Sequence, residues 1–152
     1  MRTVCAAAAV ACLGQVALAE MKDEEHLVGD RMVRISVVDD FEIMTVGPSD
    51  YDQMQVLSGA DVGIVALLGD AASVAQLGQG VVVAEVTGTH SCDAGDARAY
   101  WVVTLGEVPA PEGPLTTCQP LAASIVPGAV VLTGEGEAWT WAPGKGWAAR
   151  AE

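Results

Sequence analysis

The sequence predicts a mainly β protein: an antiparallel β-sandwich or partly open barrel with one short helix and one disulfide. Three observations support this class. Many short runs alternate apolar and polar residues, Gly and Pro separate those runs at regular intervals, and one segment carries helix-capping residues at both ends. The sequence shows no internal repeat of fixed period, which argues against a propeller or a solenoid.

The first strands are predicted between residues 31 and 68. In RMVRISVV (31–38) every second residue from Val33 to Val37 is apolar, which is typical of a half-buried strand. The dipeptide Asp39-Asp40 predicts a tight turn into FEIMTV (41–46), which alternates in the same way. Further strands are expected in the sheet-forming run from Gln55 to Leu68.

One helix is predicted, followed by two longer strands. Asp70 is placed to cap a short helix over residues 71–77, and Gly78 is placed to end it. The runs VVVAEVT (81–87) and AYWVVTL (99–105) are rich in β-branched and aromatic residues, which favours strands.

The remaining third of the chain predicts a loop and a set of short strands. GEVPAPEGP (106–114) holds three prolines, which are incompatible with a central strand, so an irregular crossing loop is expected there. Strands are expected at AASIV, AVVLT and EAWTW (within residues 122–141), and a turn at 142–146 leads to Trp147.

The N-terminal region predicts export. Residues 1–19 have one basic residue, an apolar run and a small-x-small ending at Ala17-Leu18-Ala19, so they are interpreted as a signal peptide. An uncleaved anchor and a lipid attached at Cys12 remain as alternatives. Residues 20–30 are charged and aperiodic and are expected to form a flexible acidic arm, and residues 31–152 a single β domain, periplasmic or secreted.

The formal net charge is −13. A surface of this sign repels phosphate backbones and anionic lipid headgroups, so nucleic-acid binding is not expected. After Val56 the apolar runs are broken by Asp and Gln, so no integral membrane segment is expected after signal cleavage. The acidic excess is interpreted first as a means of solubility and second as a surface for a basic partner.

Two of the four cysteines, Cys92 and Cys118, lie outside the predicted signal peptide. Two cysteines exported to an oxidising compartment usually pair, so a structural disulfide is predicted. In the chain-entropy model, closing a loop of this length stabilises the fold by roughly 3 to 4 kcal/mol.

No catalytic residue, metal ligand or cofactor is predicted, so the chain is not expected to be an enzyme. Zinc needs three or four ligands at fixed spacing, and the only histidines are His26 and His90. Ser91 is not in a G-x-S-x-G turn, and no glycine-rich phosphate-binding motif is present. Paired carboxylates for glycoside hydrolysis stay open as an alternative, because twenty acidic residues offer many pairs.

A tryptophan cluster near the C-terminus gives the candidate partner surface. Trp139 and Trp141 are two residues apart and so share one face of a strand, and Trp147 follows a tight turn that brings it alongside. If exposed, these rings would anchor a protein or a sugar. The alternative is that they close an open end of the sheet layer as core residues.

From residue 81 onward the pattern VVVAEVTGTHSC…AYWVVTL…GPLTTCQPL…WTWAPGKGW resembles small exported bacterial proteins of unknown function. Those proteins look like β domains with two spaced cysteine loops and an aromatic C-terminal hairpin. The residues that carry the resemblance are Gly88, Cys92, Tyr100, Thr117, Cys118, Trp139, Trp141 and Gly144. Asp93 stands where the pattern has proline. The resemblance implies a disulfide-linked β domain and no particular activity.

These observations favour an exported, non-catalytic binding or accessory protein of the bacterial envelope that contacts a protein partner through Trp139, Trp141 and Trp147. One alternative is a hydrolase acting on cell-envelope carbohydrate or peptide. Another is an acidic inhibitor or immunity-type protein that masks a basic partner.

Overall fold

The structure, a computed structural model, describes residues 23–49 and 51–150. The predicted signal peptide therefore lies outside the described residues. The described part of the chain forms twelve strands and one short helix, arranged as three four-stranded antiparallel sheets. The mainly β class, the short helix and the antiparallel pairing are confirmed.

The first sheet pairs four consecutive strands in chain order. They are β1 (Glu24–Val28), β2 (Arg31–Val38), β3 (Phe41–Ser49) and β4 (Asp52–Gly59). The predicted alternation in β2 is borne out, because Val33 and Ile35 are fully buried between partly exposed neighbours. Asp39 lies at the predicted turn into β3 with a φ of 55°, a left-handed conformation that Asp tolerates better than most residues.

The flexible arm predicted over residues 20–30 is wrong for residues 24–28, which form β1. Glu24 and His26 lie opposite Ile35 and Val33 of β2, on the inward side of the sheet. His26 Nε2 lies 2.7 Å from the carboxylate of Glu24. The charged composition concealed the strand, because an edge strand needs backbone pairing but only a few apolar side chains.

The central sheet also pairs its strands in chain order, with the helix between the first two. Its elements are β5 (Val62–Leu68), α1 (Ala71–Leu77), β6 (Val81–Thr87), β7 (Arg98–Thr104) and β8 (Ala110–Thr117). Helix α1 has the predicted ends. The backbone N–H of Ser73 donates to the Asp70 carboxylate at 3.0 Å, and Gly78 ends the helix with a φ of 78°.

The prediction of an irregular loop over residues 106–114 is wrong for residues 110–114, which belong to β8. Pro111 and Pro114 are tolerated because β8 is the last strand of its sheet, where a missing N–H need not break a ladder. The pairing with β7 shifts register between Tyr100 and Val102, close to the cis peptide bond Gly113–Pro114.

The C-terminal sheet contains β9 (Ala122–Val126), β10 (Ala129–Gly134), β11 (Glu137–Ala142) and β12 (Gly146–Ala149). Each strand pairs with the next one along the chain. Residues 24–149 thus form three successive four-strand meanders, a structural repeat without a sequence period.

The three sheets stack with the central sheet in the middle, so the sandwich has three layers. The aliphatic core lies between the first and central sheets, and it consists of Val28, Val33, Ile35, Met44, Val46, Leu57, Val62, Val82, Ala84, Val86, Val103 and Leu105. The aromatic core lies between the central and C-terminal sheets and consists of Leu77, Val81, Val83, Tyr100, Val102, Leu115, Leu121, Val130, Leu132 and Trp141. Successive residues of β6 and β7 therefore face opposite cores.

Among the described residues, no helix has the length and hydropathy needed to cross a lipid bilayer.

Candidate functional site

The candidate site lies at one end of the central sheet, where three strand ends meet. Thr87 of β6 pairs with Arg98 of β7, and Arg98 pairs with Thr117 of β8. The loop between β6 and β7, residues 88–97, crosses this end. The N–H of Gly88 donates to the carbonyl of Ala97 at 2.7 Å and closes the neck of the loop.

The predicted disulfide between Cys92 and Cys118 is confirmed. It joins the loop to the residue directly after β8, with Cα atoms 5.7 Å apart, within the usual range for a disulfide. Both cysteines are half-buried. The bridge thus ties the loop to the point where the chain leaves the central sheet for the C-terminal sheet.

His90 lies against the disulfide. Its Nε2 atom is 3.7 Å from Sγ of Cys92 and 3.9 Å from Sγ of Cys118. Its other ring nitrogen, Nδ1, lies 3.2 Å from the hydroxyl of Thr89. The side chains of His90, Cys92 and Cys118 thus place three potential metal-ligand atoms within 4.8 Å of one another.

A cavity of about 210 Å³, here called the Trp101 cavity, opens beside the loop between the first and central sheets. Its lining side chains are either apolar or hydroxyl-bearing: Leu57, Ser58, Val86, Thr89, Ala99, Trp101, Pro114 and Thr116. None of them is a titratable acid or base. The lining therefore suits the binding of an apolar group rather than proton transfer.

A second, polar cavity of about 550 Å³ lies on the other side of the same loop. Arg98 Nη1 donates to the Glu85 carboxylate at 2.8 Å, and this hydrogen bond raises the pKa of Arg98 above its ordinary value. The hydroxyl of Thr87 donates to the Asp61 carboxylate at 3.2 Å. These contacts join neighbouring strand ends, and they pair the polar side chains of the cavity with one another.

The structure corrects the predicted partner surface at Trp141, which is fully buried in the aromatic core. Its indole N–H donates to the Glu112 carboxylate at 2.8 Å. The prediction that Trp139 and Trp141 share a face is correct, but that face points toward the central sheet. Trp141 therefore matches the core alternative left open by the sequence.

Trp139 and Trp147 are only partly buried and pack at the margin of the aromatic core. Trp147 lies opposite Trp141 on the neighbouring strand. The indole N–H of Trp139 donates to Glu137 at 2.9 Å, whereas the N–H of Trp147 has no hydrogen-bond partner among the described residues. These two rings retain some exposed area at the sheet margin.

Sequence reasoning missed Trp101, the tryptophan that lines a cavity. The signal was present in AYWVV, where five consecutive apolar residues indicate a strand buried on both faces. Tyr100 and Trp101 face opposite cores for this reason.

Comparison with protein-family models, with curated proteins and with solved structures finds no significant match to this chain.

Proposed function

We propose that this chain is an exported, non-catalytic binding or accessory protein of the bacterial envelope. It holds an extended segment of a protein partner against β4, with one apolar side chain of that segment in the Trp101 cavity. The observation that carries the proposal is the composition of the cavity, whose lining offers apolar contact and hydroxyl groups but no acid or base.

The size of the cavity favours a single side chain. At about 210 Å³ it is smaller than typical pockets for whole small molecules, which are roughly 300 to 1,000 Å³. The partly buried Trp101 offers a large apolar contact surface. The hydroxyls of Ser58, Thr89 and Thr116 can orient a backbone or polar group at the rim.

The edge of the first sheet favours an extended segment as the occupant. Among the described residues, β4 pairs only with β3, and its residues Leu57 and Ser58 line the cavity. Terminal strands offer unpaired backbone groups to an added strand, as in β-augmentation. The facing edge strand β8 is a poorer template because its two prolines lack an N–H.

Exposed apolar side chains beside β4 also support a partner at this edge. Tyr51, directly before the strand, is fully exposed, and Met54 within the strand is 46% exposed. Large exposed apolar side chains next to an open edge are typical of interaction sites.

The hairpin that carries Trp139 and Trp147 is the second candidate surface. Both rings are partly exposed, and the indole N–H of Trp147 has no acceptor among the described residues. That N–H is itself buried, so a partner docked there would contact the exposed parts of the two rings rather than the N–H.

The test is co-purification of the C-terminally tagged full chain from envelope and periplasmic extract, with companions identified by mass spectrometry. Thr116→Trp places a bulky ring at the cavity rim. The matched control is Thr133→Trp, because Thr133 is also an exposed strand threonine but lies in β10 of the C-terminal sheet. Trp139→Ala/Trp147→Ala tests the hairpin.

A stoichiometric companion lost in Thr116→Trp and kept in the other two variants supports the cavity. Hydrogen exchange should then show added protection of the β4 amides when the purified companion is mixed with the wild type. If the companion is lost only in Trp139→Ala/Trp147→Ala, the binding surface is the hairpin and not the cavity. A wild type that elutes alone at monomer size contradicts a protein partner.

A further inference from the structure

We propose that reduction of the Cys92–Cys118 disulfide converts the end of the central sheet into a three-ligand site for Zn²⁺. The ligands are the two thiolates and Nε2 of His90. This inference is independent of the proposed partner site, although Thr89 belongs to both. Two thiolates and one imidazole are a ligand set that zinc prefers, and three protein ligands leave one position open.

The three ligand atoms are already close together in the oxidised protein. Nε2 of His90 lies 3.7 Å from one sulfur and 3.9 Å from the other. Breaking the S–S bond lets the two sulfurs separate, as a shared metal ion requires. Only side-chain rotation is needed, because the Cα atoms of Cys92 and Cys118 are 5.7 Å apart.

Contacts other than the disulfide hold the loop in place. Gly95 has a φ of 81°, and a Cβ on it would lie 2.7 Å from the carbonyl oxygen of Cys118, so the loop backbone rests directly on that residue. The hydrogen bond from Gly88 to Ala97 closes the loop neck, and the pairing of Arg98 with Thr117 fixes its base. The ligands should therefore stay adjacent after reduction.

Thr89 is placed to stabilise the tautomer of His90 that a metal needs. Its hydroxyl lies 3.2 Å from Nδ1, where it can accept a hydrogen bond from the N–H of that nitrogen. With the proton on Nδ1, the lone pair of Nε2 points toward the two sulfurs. A second group that holds the far nitrogen in this way is typical of histidine ligands in metal sites.

The chemistry balances with a dithiol as reductant. The dithiol gives two electrons and two protons to the disulfide, its own sulfurs join in a cyclic disulfide, and Cys92 and Cys118 become thiols. Zn²⁺ then displaces the two thiol protons and binds both thiolates. In the reverse direction the two thiolates give two electrons to the cyclic disulfide, which takes two protons from water and becomes the dithiol again, while the bond between Cys92 and Cys118 re-forms and Zn²⁺ is released.

The test uses full-length protein carrying Cys5→Ser/Cys12→Ser, so that only two cysteines remain. The protein is reduced with a dithiol, desalted without oxygen and titrated with Zn²⁺ against a chromophoric chelator. Co²⁺ replaces Zn²⁺ in a parallel titration, and sulfur-to-cobalt absorption reports thiolate coordination. The oxidised protein is titrated in the same way.

The expected result is one tightly bound Zn²⁺ per reduced chain and none per oxidised chain. Thr89→Val should weaken binding about 10-fold, in line with the loss of a group that orients a ligand, and His90→Ala should weaken it more. The matched control His26→Ala removes the other histidine and should bind like the wild type.

Equal affinity in the reduced and oxidised proteins, or in His90→Ala and the wild type, overturns the proposal. Circular dichroism of the reduced protein before metal addition tests separately whether the fold survives reduction. Loss of the β-sheet spectrum at that stage contradicts a site held in place by the strand ends, whether or not zinc binds afterwards.

Discussion

The two faces of the central sheet are buried by different chemistry. The face toward the first sheet packs in the aliphatic core, whose members are all Val, Ile, Leu, Met or Ala, with Trp101 only at its margin. The face toward the C-terminal sheet packs in the aromatic core around Tyr100 and Trp141. Aliphatic packing stabilises in proportion to buried area and has no preferred direction.

The aromatic core adds directional bonds to its buried area. The hydroxyl of Tyr100 accepts from the N–H of Leu121 at 2.8 Å and donates to the carbonyl of Gln119 at 3.4 Å. The N–H of Trp141 donates to Glu112 at 2.8 Å, and the Thr117 hydroxyl donates to Glu137. These bonds hold the connection between the central and C-terminal sheets in one position.

The difference bears on the position of the apolar Trp101 cavity. Directional bonds set the geometry between the central and C-terminal sheets. The interface with the first sheet is held by apolar packing and by one hydrogen bond, from the N–H of Val62 to the Glu42 carboxylate at 2.7 Å. The Trp101 cavity opens at the edge of this interface, between β4 and β8. A partner segment can enter there without breaking hydrogen bonds within the core.

The largest predicted effect is that of Trp141→Ala. Trp141 is fully buried, so its truncation should lower the free energy of unfolding by about 3 to 5 kcal/mol. Trp139→Ala is the matched variant, because Trp139 lies on the same face of β11 but is only partly buried, and it should cost clearly less. Urea denaturation measures both, and equal losses would contradict the different burial of the two rings.

The next effect is removal of the disulfide. Cys92→Ala/Cys118→Ala should lower the free energy of unfolding by roughly 3 to 4 kcal/mol, because the unfolded chain regains the freedom of the closed loop. Dithiol treatment of the wild type should give a similar shift in the urea midpoint. A double variant as stable as the oxidised wild type would show that the other loop contacts suffice.

Smaller losses of stability are expected from one substitution in each core. Tyr100→Phe removes a hydroxyl that bonds the backbone at two points and leaves the buried N–H of Leu121 unpaired, which should cost about 1 to 3 kcal/mol. Ile35→Val in the aliphatic core removes one methylene and should cost about 1 kcal/mol. If Ile35→Val is the more damaging, the directional bonds do not set the difference between the cores.

Tyr100 also predicts a pH dependence. Burial raises the pKa of Tyr100 above its ordinary value of 10.0, so the folded state favours the neutral phenol. This contribution is present below pH 10 and is lost as the pH rises above 10, where the unfolded chain ionises first. Tyr100→Phe should therefore lose less stability than the wild type between neutral pH and pH 11, and parallel pH profiles would contradict this.

The smallest effect concerns the cap of α1, whose Leu77 belongs to the aromatic core. The hydrogen bonds from Ser73 lower the pKa of Asp70 below its ordinary value of 3.8, so the ionised form is favoured in the folded protein. Asp70→Ala should lower the thermal midpoint slightly at pH 7, and the deficit should shrink as the pH falls below 3.8. Asp70→Asn, which keeps a capping oxygen, is the matched control.

Features determined by neighbouring residues were predictable. The alternation of Val33 and Ile35, the Asp70 cap and the Gly78 ending act over a few positions, and the structure has them as predicted. Two strands that form only because they pair with a neighbouring strand were missed. β1 is highly charged and β8 contains two prolines. These residues are tolerated because both strands lie at the edge of a sheet, which the local sequence does not reveal.

The sequence by itself determined the antiparallel β class and the short helix α1, because apolar periodicity and capping residues act over a few positions. It also determined the pairing of Cys92 with Cys118, because the predicted export leaves only these two cysteines. Only the tertiary structure decided that there are three layers, that Trp141 is buried while Trp101 lines a cavity, and that His90 lies against both sulfurs. These features depend on which sheet covers each face of a strand, and such contacts arise between residues far apart in the chain.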